Sequence, residues 1–192
     1  MTHIQHQFEH TYQVVSKKEF LNKESLGGEI PFFISRYEAI DENKIKEAIR
    51  LLKNRLVTNG ISVLEINLFD LACEILEEKG SMDRMFRVEK SKGSAKFLRA
   101  LQSSLNIHEV LLPRIKSLIK NSDAKLYFVT GIGLVFPFIR SHSILNNLQS
   151  IATNAPTIFF YPGEYDGHSL KLFNLLKDDN YYRAFNLEII QA

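Results

Sequence analysis

The chain of 192 residues is 45% hydrophobic and 24% charged, and its 24 Lys and Arg nearly balance 22 Asp and Glu. This composition excludes a disordered, collagenous or highly charged tail protein, and it supplies enough apolar material for a conventional core. Cys73 is the only cysteine, which excludes an intramolecular disulfide and a cysteine-based zinc site and fits a reducing compartment.

Met1 to Phe20 mixes His, Gln, Glu and Lys with isolated apolar positions, unlike a signal peptide. No stretch approaches the roughly 20 apolar residues that cross a bilayer, so the expectation is a soluble, cytoplasmic chain away from membranes. Residues 1–25 are expected to form a peripheral helical segment on a single domain spanning 1–192. His3, His6 and His10 would share one helical face where imidazoles can bind metal. A fraying terminus with only Glu9 as an adjacent acid favours solvent exposure instead.

The β-prone run Glu29 to Ser35, with Pro31 near its start, predicts the first strand. From Asp41, the residues Ile45, Ala48, Ile49, Leu52 and Leu56 fall on one helical stripe. Asp41 can cap its start and Asn59-Gly60 can end it. Ile61 to Leu68 is nearly continuous in Ile, Val and Leu and predicts a strand covered on both faces. The spacing of Leu68, Leu71, Ala72, Ile75 and Leu76 predicts a helix to about Lys79, with Cys73 in core packing rather than nucleophilic chemistry. Met82 to Asn121 reads as helical with a break at Pro113. Within it His108-Glu109 lacks the second histidine of a zinc-protease helix, because Leu112 stands there.

Lys125 to Thr130 and Pro156 to Tyr161 predict short strands, with a helix between them from about Phe138 to Ala152. Leu170 to Leu176 is expected to be helical and Tyr182 to Ile190 to supply a last strand. Strands alternating with helices predict an α/β, single-domain fold: a mostly parallel sheet flanked by helices on both faces, in P-loop-like or Rossmann-like layering without a Walker A motif. Ligands and partners of such sheets commonly meet the loops at the carboxyl ends of the strands.

Two such loops carry the site residues. In Thr130-Gly-Ile-Gly-Leu-Val-Phe136, Gly131 and Gly133 stand between a strand and a helix, where backbone amides can cradle a phosphate. Phe136 replaces the third glycine of a dinucleotide fingerprint, no Walker lysine follows, and Arg140 and His142 lie nearby. A tight turn or partner contact is favoured over nucleotide binding. Tyr161-Pro-Gly-Glu-Tyr-Asp-Gly-His168 brings Tyr161, Pro162, Gly163, Glu164 and Tyr165 into one turn-rich segment. Its carboxylates and histidine have no partners that the sequence can place, so a binding surface is favoured over catalysis, with no cofactor and no metal expected. Ser81 to Lys125 contains ten Lys and Arg against four Asp and Glu. Nucleic acid, an acidic protein partner and a plain solvated face all remain open for that basic stretch.

Three blocks together, Thr130 to His142, Phe159 to Tyr165 with Leu170 and Phe173, and Tyr181 to Phe185, resemble the BrxB family of bacterial BREX phage-exclusion systems. The similarity extends upstream through Glu65-Ile-Asn-Leu-Phe-Asp70. The resemblance implies a non-enzymatic accessory subunit, with the alkaline-phosphatase-like protein PglZ as its preferred direct partner and other BREX subunits as further ones. No family catalytic residue carries over. On this reading the loops holding Gly131, Gly133, Phe136, Phe138, Tyr161, Pro162, Gly163, Glu164 and Tyr165, or an adjacent helical face, meet PglZ, while Arg140 and Arg183 pair with acidic groups. Burial of any of these side chains would demote it. A nucleotide-responsive regulator opening at Gly131 and Gly133, and a nucleic-acid contact module using residues 81–125, stand as the alternatives.

Overall fold

A computed structural model describes residues 2–24, 31–178 and 182–191. The chain is an α/β protein whose central sheet is built from five parallel strands, with helices on both faces. The strands are β1 (Phe32–Tyr37), β2 (Val63–Asn67), β3 (Leu126–Thr130), β4 (Thr157–Tyr165) and β7 (Phe185–Asn186), in the order β2-β3-β4-β1-β7. Two further strands, β5 (Leu170–Leu172) and β6 (Leu176–Asp178), extend β4 as an antiparallel meander.

Strand alternation divides the core into two layers. Phe32, Ile34, Val129, Phe159 and Tyr161 point to one face, which is covered by α4 (Leu68–Glu78), α5 (Met82–Lys92), α6 (Ser94–Ser104), α7 (Leu112–Lys120) and α8 (Ser141–Leu148). Phe33, Tyr37, Phe128, Ile158 and Phe160 point to the other. There α1 (His3–Val15) buries Phe8, Val14 and Val15, α2 (Lys18–Leu21) buries Phe20, and α3 (Glu42–Thr58) buries the predicted stripe of Ile45, Ile49, Leu52 and Leu56.

Most predicted elements appear, and the differences have physical causes. The first strand runs two residues past Ser35 to Tyr37, and the predicted start at Glu29 and Ile30 lies outside the described residues. Asp41 does not cap α3 with its side chain; it is the last residue of a 3-10 turn, Ala39–Asp41, and its carboxylate pairs with Lys44 at 2.7 Å. In β2, Leu64 and Val63 face the two opposite core layers, as a doubly covered strand should, yet β2 lies at the sheet edge. The long helical stretch breaks at Gly93, again at Leu105 and Asn106, and once more at a π-helical turn, Ile107–Leu111, after which Pro113 opens α7. Proline is tolerated in that first turn because its missing N–H has no intrahelical acceptor to lose.

Larger corrections fall in the second half. The predicted helix at Phe138 begins only at Ser141, because residues 131–140 form irregular turns that include a cis Phe136-Pro137 bond. The segment expected to turn at Pro162-Gly163 continues as strand to Tyr165, and Leu170 to Leu176, expected to be helical, is the β5-β6 turn region. Leu170, Leu172 and Leu176 fit either period over so short a run, and the chain pairing Gly163 with Leu172 decides for strand. The expected last strand is reduced to Phe185–Asn186, followed by a 3-10 turn, Leu187–Ile189.

Candidate functional site

The two predicted loops do come together at the carboxyl end of the sheet, but they fill one another. Asn67 caps α4, its Oδ1 accepting from the backbone N–H of Phe69 at 3.0 Å and of Asp70 at 3.3 Å. A Cβ on Gly131, which has φ +71°, would lie 2.4 Å from that same oxygen. A Cβ on Gly133 would meet Phe173 and Pro162 at 3.0 Å, and one on Gly163 would meet the Lys171 carbonyl oxygen at 2.1 Å. The glycines therefore permit close packing between loops. The space over Gly131 that a phosphate would need holds an amide side chain, and no helix follows the loop directly.

Burial sorts the remaining residues. Tyr161 is 1% exposed and its hydroxyl is pushed up to about 12, chiefly by desolvation. Pro162 is buried, and so is Tyr165, whose hydroxyl donates to the Ala184 carbonyl at 2.7 Å. Neither tyrosine presents a free ring. Glu164 is exposed beside Lys171 at 3.5 Å. Arg140 is exposed at the mouth of a cleft of about 420 Å³ that also contains His142, Tyr161 and Asp178. In that cleft the Asp178 carboxylate lies 3.2 Å from His142 Nδ1 and accepts from the Tyr182 hydroxyl, tying α8, β6 and the C-terminal segment together. Arg183 is exposed near α8, its carbonyl accepting from Gln149. Tyr181 lies outside the described residues.

At the other end of the chain, His3 and His6 are exposed as expected, but His10 is half-buried with Nε2 at 2.9 Å from the Ile190 carbonyl. The helical face therefore joins the two chain ends at His10. No helix among the described residues is long and apolar enough to cross a membrane.

Phe136 leads to a feature the sequence reading missed. Beside it opens an apolar groove of about 690 Å³. One wall is α4, through Phe69, Cys73 and Leu76; the other is the hairpin of α5 and α6, through Met82, Met85, Phe86 and Phe97. Phe136, Pro137 and Phe138 close one end. Gly93, at φ +77°, joins α5 to α6 as a single-residue link, so the two helices fold back on each other. Only Met85 of α5 and Leu101 of α6 are buried outright. The rest of the apolar stripe stays partly in water: Phe86 is 59% exposed and Phe69 39%. Cys73 sits in the wall rather than the deep core, and burial followed by the nearby Asp70 and Glu77 raises its thiol pKa. The sequence signal was present as apolar residues at three- and four-residue spacings in both helices, but such stripes ordinarily belong to a core.

A basic surface backs this groove. The hairpin holds Arg84, Arg87, Lys90, Lys92, Lys96 and Arg99 against Asp83 and Glu89, and all eight are exposed. None of these eight makes an ion pair among the described residues.

Comparisons with known proteins follow the same residues. The family model for BREX protein BrxB matches residues 64–187, a span that runs from β2 through the hairpin, the groove and both loops to the C-terminal segment. The BREX protein BrxB of Bacillus cereus (strain H3081.97) is 37% identical over 191 residues, covering 97% of this chain and 98% of that protein. The BREX protein BrxB of Escherichia coli O9:H4 (strain HS) is 28% identical over 173 residues, covering 90% of this chain and 86% of that protein. No solved structure matches the chain. By the extent of the family match and the near full-length relative, this chain belongs to the BrxB family of BREX proteins.

Proposed function

We propose that this chain is a non-enzymatic interaction subunit of a BREX phage-exclusion system, acting in the cytoplasm by holding PglZ within a larger assembly. Membership in the BrxB family supports the system, and the apolar groove carries the interaction role. A partly exposed aromatic cleft is costly for a chain that works alone, because its apolar area gains stabilisation only when a partner removes it from water. The would-be phosphate loop supports the same choice over nucleotide regulation, since Asn67 stands over Gly131.

The test is co-purification. Tagged wild-type chain should retain PglZ, and Phe86→Asp, at a position already mostly in solvent, should lower retention by about tenfold or more with an unchanged circular dichroism spectrum. Turnover of any substrate by the isolated chain, abolished by one side-chain replacement, would overturn the non-enzymatic role.

A second reading draws on the outer side of the hairpin. Arg84 and Arg87 fall on the side of α5 away from its groove-lining residues, where they are free to meet phosphates. A duplex mobility shift that weakens steeply with salt and with Arg84→Glu and Arg87→Glu would support this contact. No shift at low salt would remove it.

A further inference from the structure

Tyr161 is buried, and its hydroxyl makes no hydrogen bond among the described residues. An unpaired buried hydroxyl is costly, so each one calls for a group that satisfies it. Burial raises the Tyr161 pKa and keeps the hydroxyl a neutral donor; Ser141 stands close enough to oppose that rise, yet completes no hydrogen bond with it.

Tyr161 helps to line the cleft of about 420 Å³ described above, and the other donors there come from α8. Arg140, Ser141 and His142, the N-cap and first two residues of that helix, all line the cleft. The cap makes no side-chain bond, and its carbonyl accepts from the N–H groups of Ser143 at 3.1 Å and Ile144 at 3.4 Å. The backbone N–H groups of Ser141 and His142 have no acceptor among the described residues. Arg140 makes no ion pair among them. Such a helix end favours an anion, because its unpaired N–H groups carry the positive end of the helix dipole.

Asp178 supplies the one carboxylate in the lining among the described residues, and its Oδ2 is engaged by the Tyr182 hydroxyl and by His142 Nδ1. Lys177 adds a second cation. This excess of donors matches a ligand with several oxygens and a negative charge, as a phosphate group has. Opposite the donors, Phe136, Leu172, Leu175 and Leu176 form an apolar wall. The cleft has more room than a phosphate alone fills, so the ligand carries an apolar part as well. Its position differs from the space over Gly131, which Asn67 fills.

From this we infer that the cleft between α8 and the β5-β6 turn binds a small phosphate monoester. The phosphate oxygens accept from the Tyr161 hydroxyl, the Ser141 and His142 backbone N–H groups and the Arg140 guanidinium, while the organic part lies against Phe136 and Leu175. The site is separate from the apolar groove and stands or falls independently of the interaction role proposed above.

Titration of the full chain with phenyl phosphate, AMP and inorganic phosphate, followed by the amide resonances of Ser141 and His142, tests it. Phenyl phosphate or AMP should bind about tenfold more tightly than inorganic phosphate, and the better of the two tells an aryl from a nucleoside source. Tyr161→Phe and Arg140→Gln should each weaken that binding by about tenfold, whereas Arg87→Gln, on α5, should leave it unchanged. Without ligand, Tyr161→Phe should unfold at the wild-type temperature or above, because it removes an unpaired buried hydroxyl. A lower midpoint would show that hydroxyl already partnered within the chain and would overturn the inference. So would unmoved resonances at millimolar concentrations of all three probes, binding undiminished in both variants, or inorganic phosphate binding as tightly as both esters.

Discussion

Asn67 and Gly131 share one small space: the amide oxygen that caps α4 occupies the position where a side chain on Gly131 would begin. The helix that walls the groove is thus anchored to the loop after β3. Gly131→Ala forces either a strained positive φ or loss of the cap, and should destabilise the fold by about 2–4 kcal/mol. Asn67→Ala removes the cap alone and should cost about 1 kcal/mol. Urea unfolding of both variants checks the ranking; a smaller loss for Gly131→Ala than for Asn67→Ala would contradict it.

Tyr165 seals the C-terminal segment against the β4-β5 meander through its bond to the Ala184 carbonyl. Tyr165→Phe keeps the ring and leaves that carbonyl without this donor, so stability should fall by about 1 kcal/mol. Amide exchange should quicken most at residues 182–187. Acceleration spread evenly over the sheet would show that the bond is not a local latch.

On the opposite face, two of the contacts that hold α1 are unequal. Arg55 reaches Glu9 at 2.6 Å and lies 3.5 Å from the centre of the Tyr12 ring, but it is substantially exposed, whereas Phe8 is buried against Phe160. Burial outweighs a solvent-screened pair. Phe8→Ala should cost about 3 kcal/mol, while Arg55→Lys should change only the exchange of α1 amides. Equal effects of the two in thermal unfolding would refute this order.

The Asp166 carboxylate accepts from the backbone N–H of His168 at 2.8 Å and of Ser169 at 2.7 Å, and from the Ser169 hydroxyl. Those bonds hold its pKa at about 2, below the ordinary 3.8. A carboxyl depressed in the folded state contributes stability above its unfolded pKa and loses it as pH falls through the folded one. The turn between β4 and β5 should therefore loosen between pH of about 4 and about 2. Asp166→Asn should flatten that part of the acid unfolding profile; an identical slope in both proteins would exclude the contribution.

What the sequence discloses follows from period and length. The α3 stripe and the Phe-rich β1 and β4 runs are long enough, or alternate clearly enough, to fix their type. Leu170 to Leu176 is too short to discriminate, and its strand state comes from pairing with Gly163 to Tyr165, a relation that no local pattern contains. The loop after Thr130 was legible at the sheet's carboxyl end, since glycine after an apolar run signals a turn, whereas the same signal at Pro162-Gly163 misled, because that segment stays in β4 to Tyr165. Their mutual packing was not, because it depends on Asn67 and Phe173 arriving from distant parts of the chain. The groove was hidden for the opposite reason: Phe86 and Met82 stand at core spacings, and only the fold shows that nothing among the described residues covers them fully.

His10 receives its carbonyl partner from Ile190, 180 positions later. During vectorial synthesis this contact can close only after almost the whole sheet has emerged, whereas the contacts of α1 with Arg36 and Arg55 can form much earlier. The α1 layer therefore meets its partners in two instalments, an early one from β1 and α3 and a late one from Phe160 and Ile190.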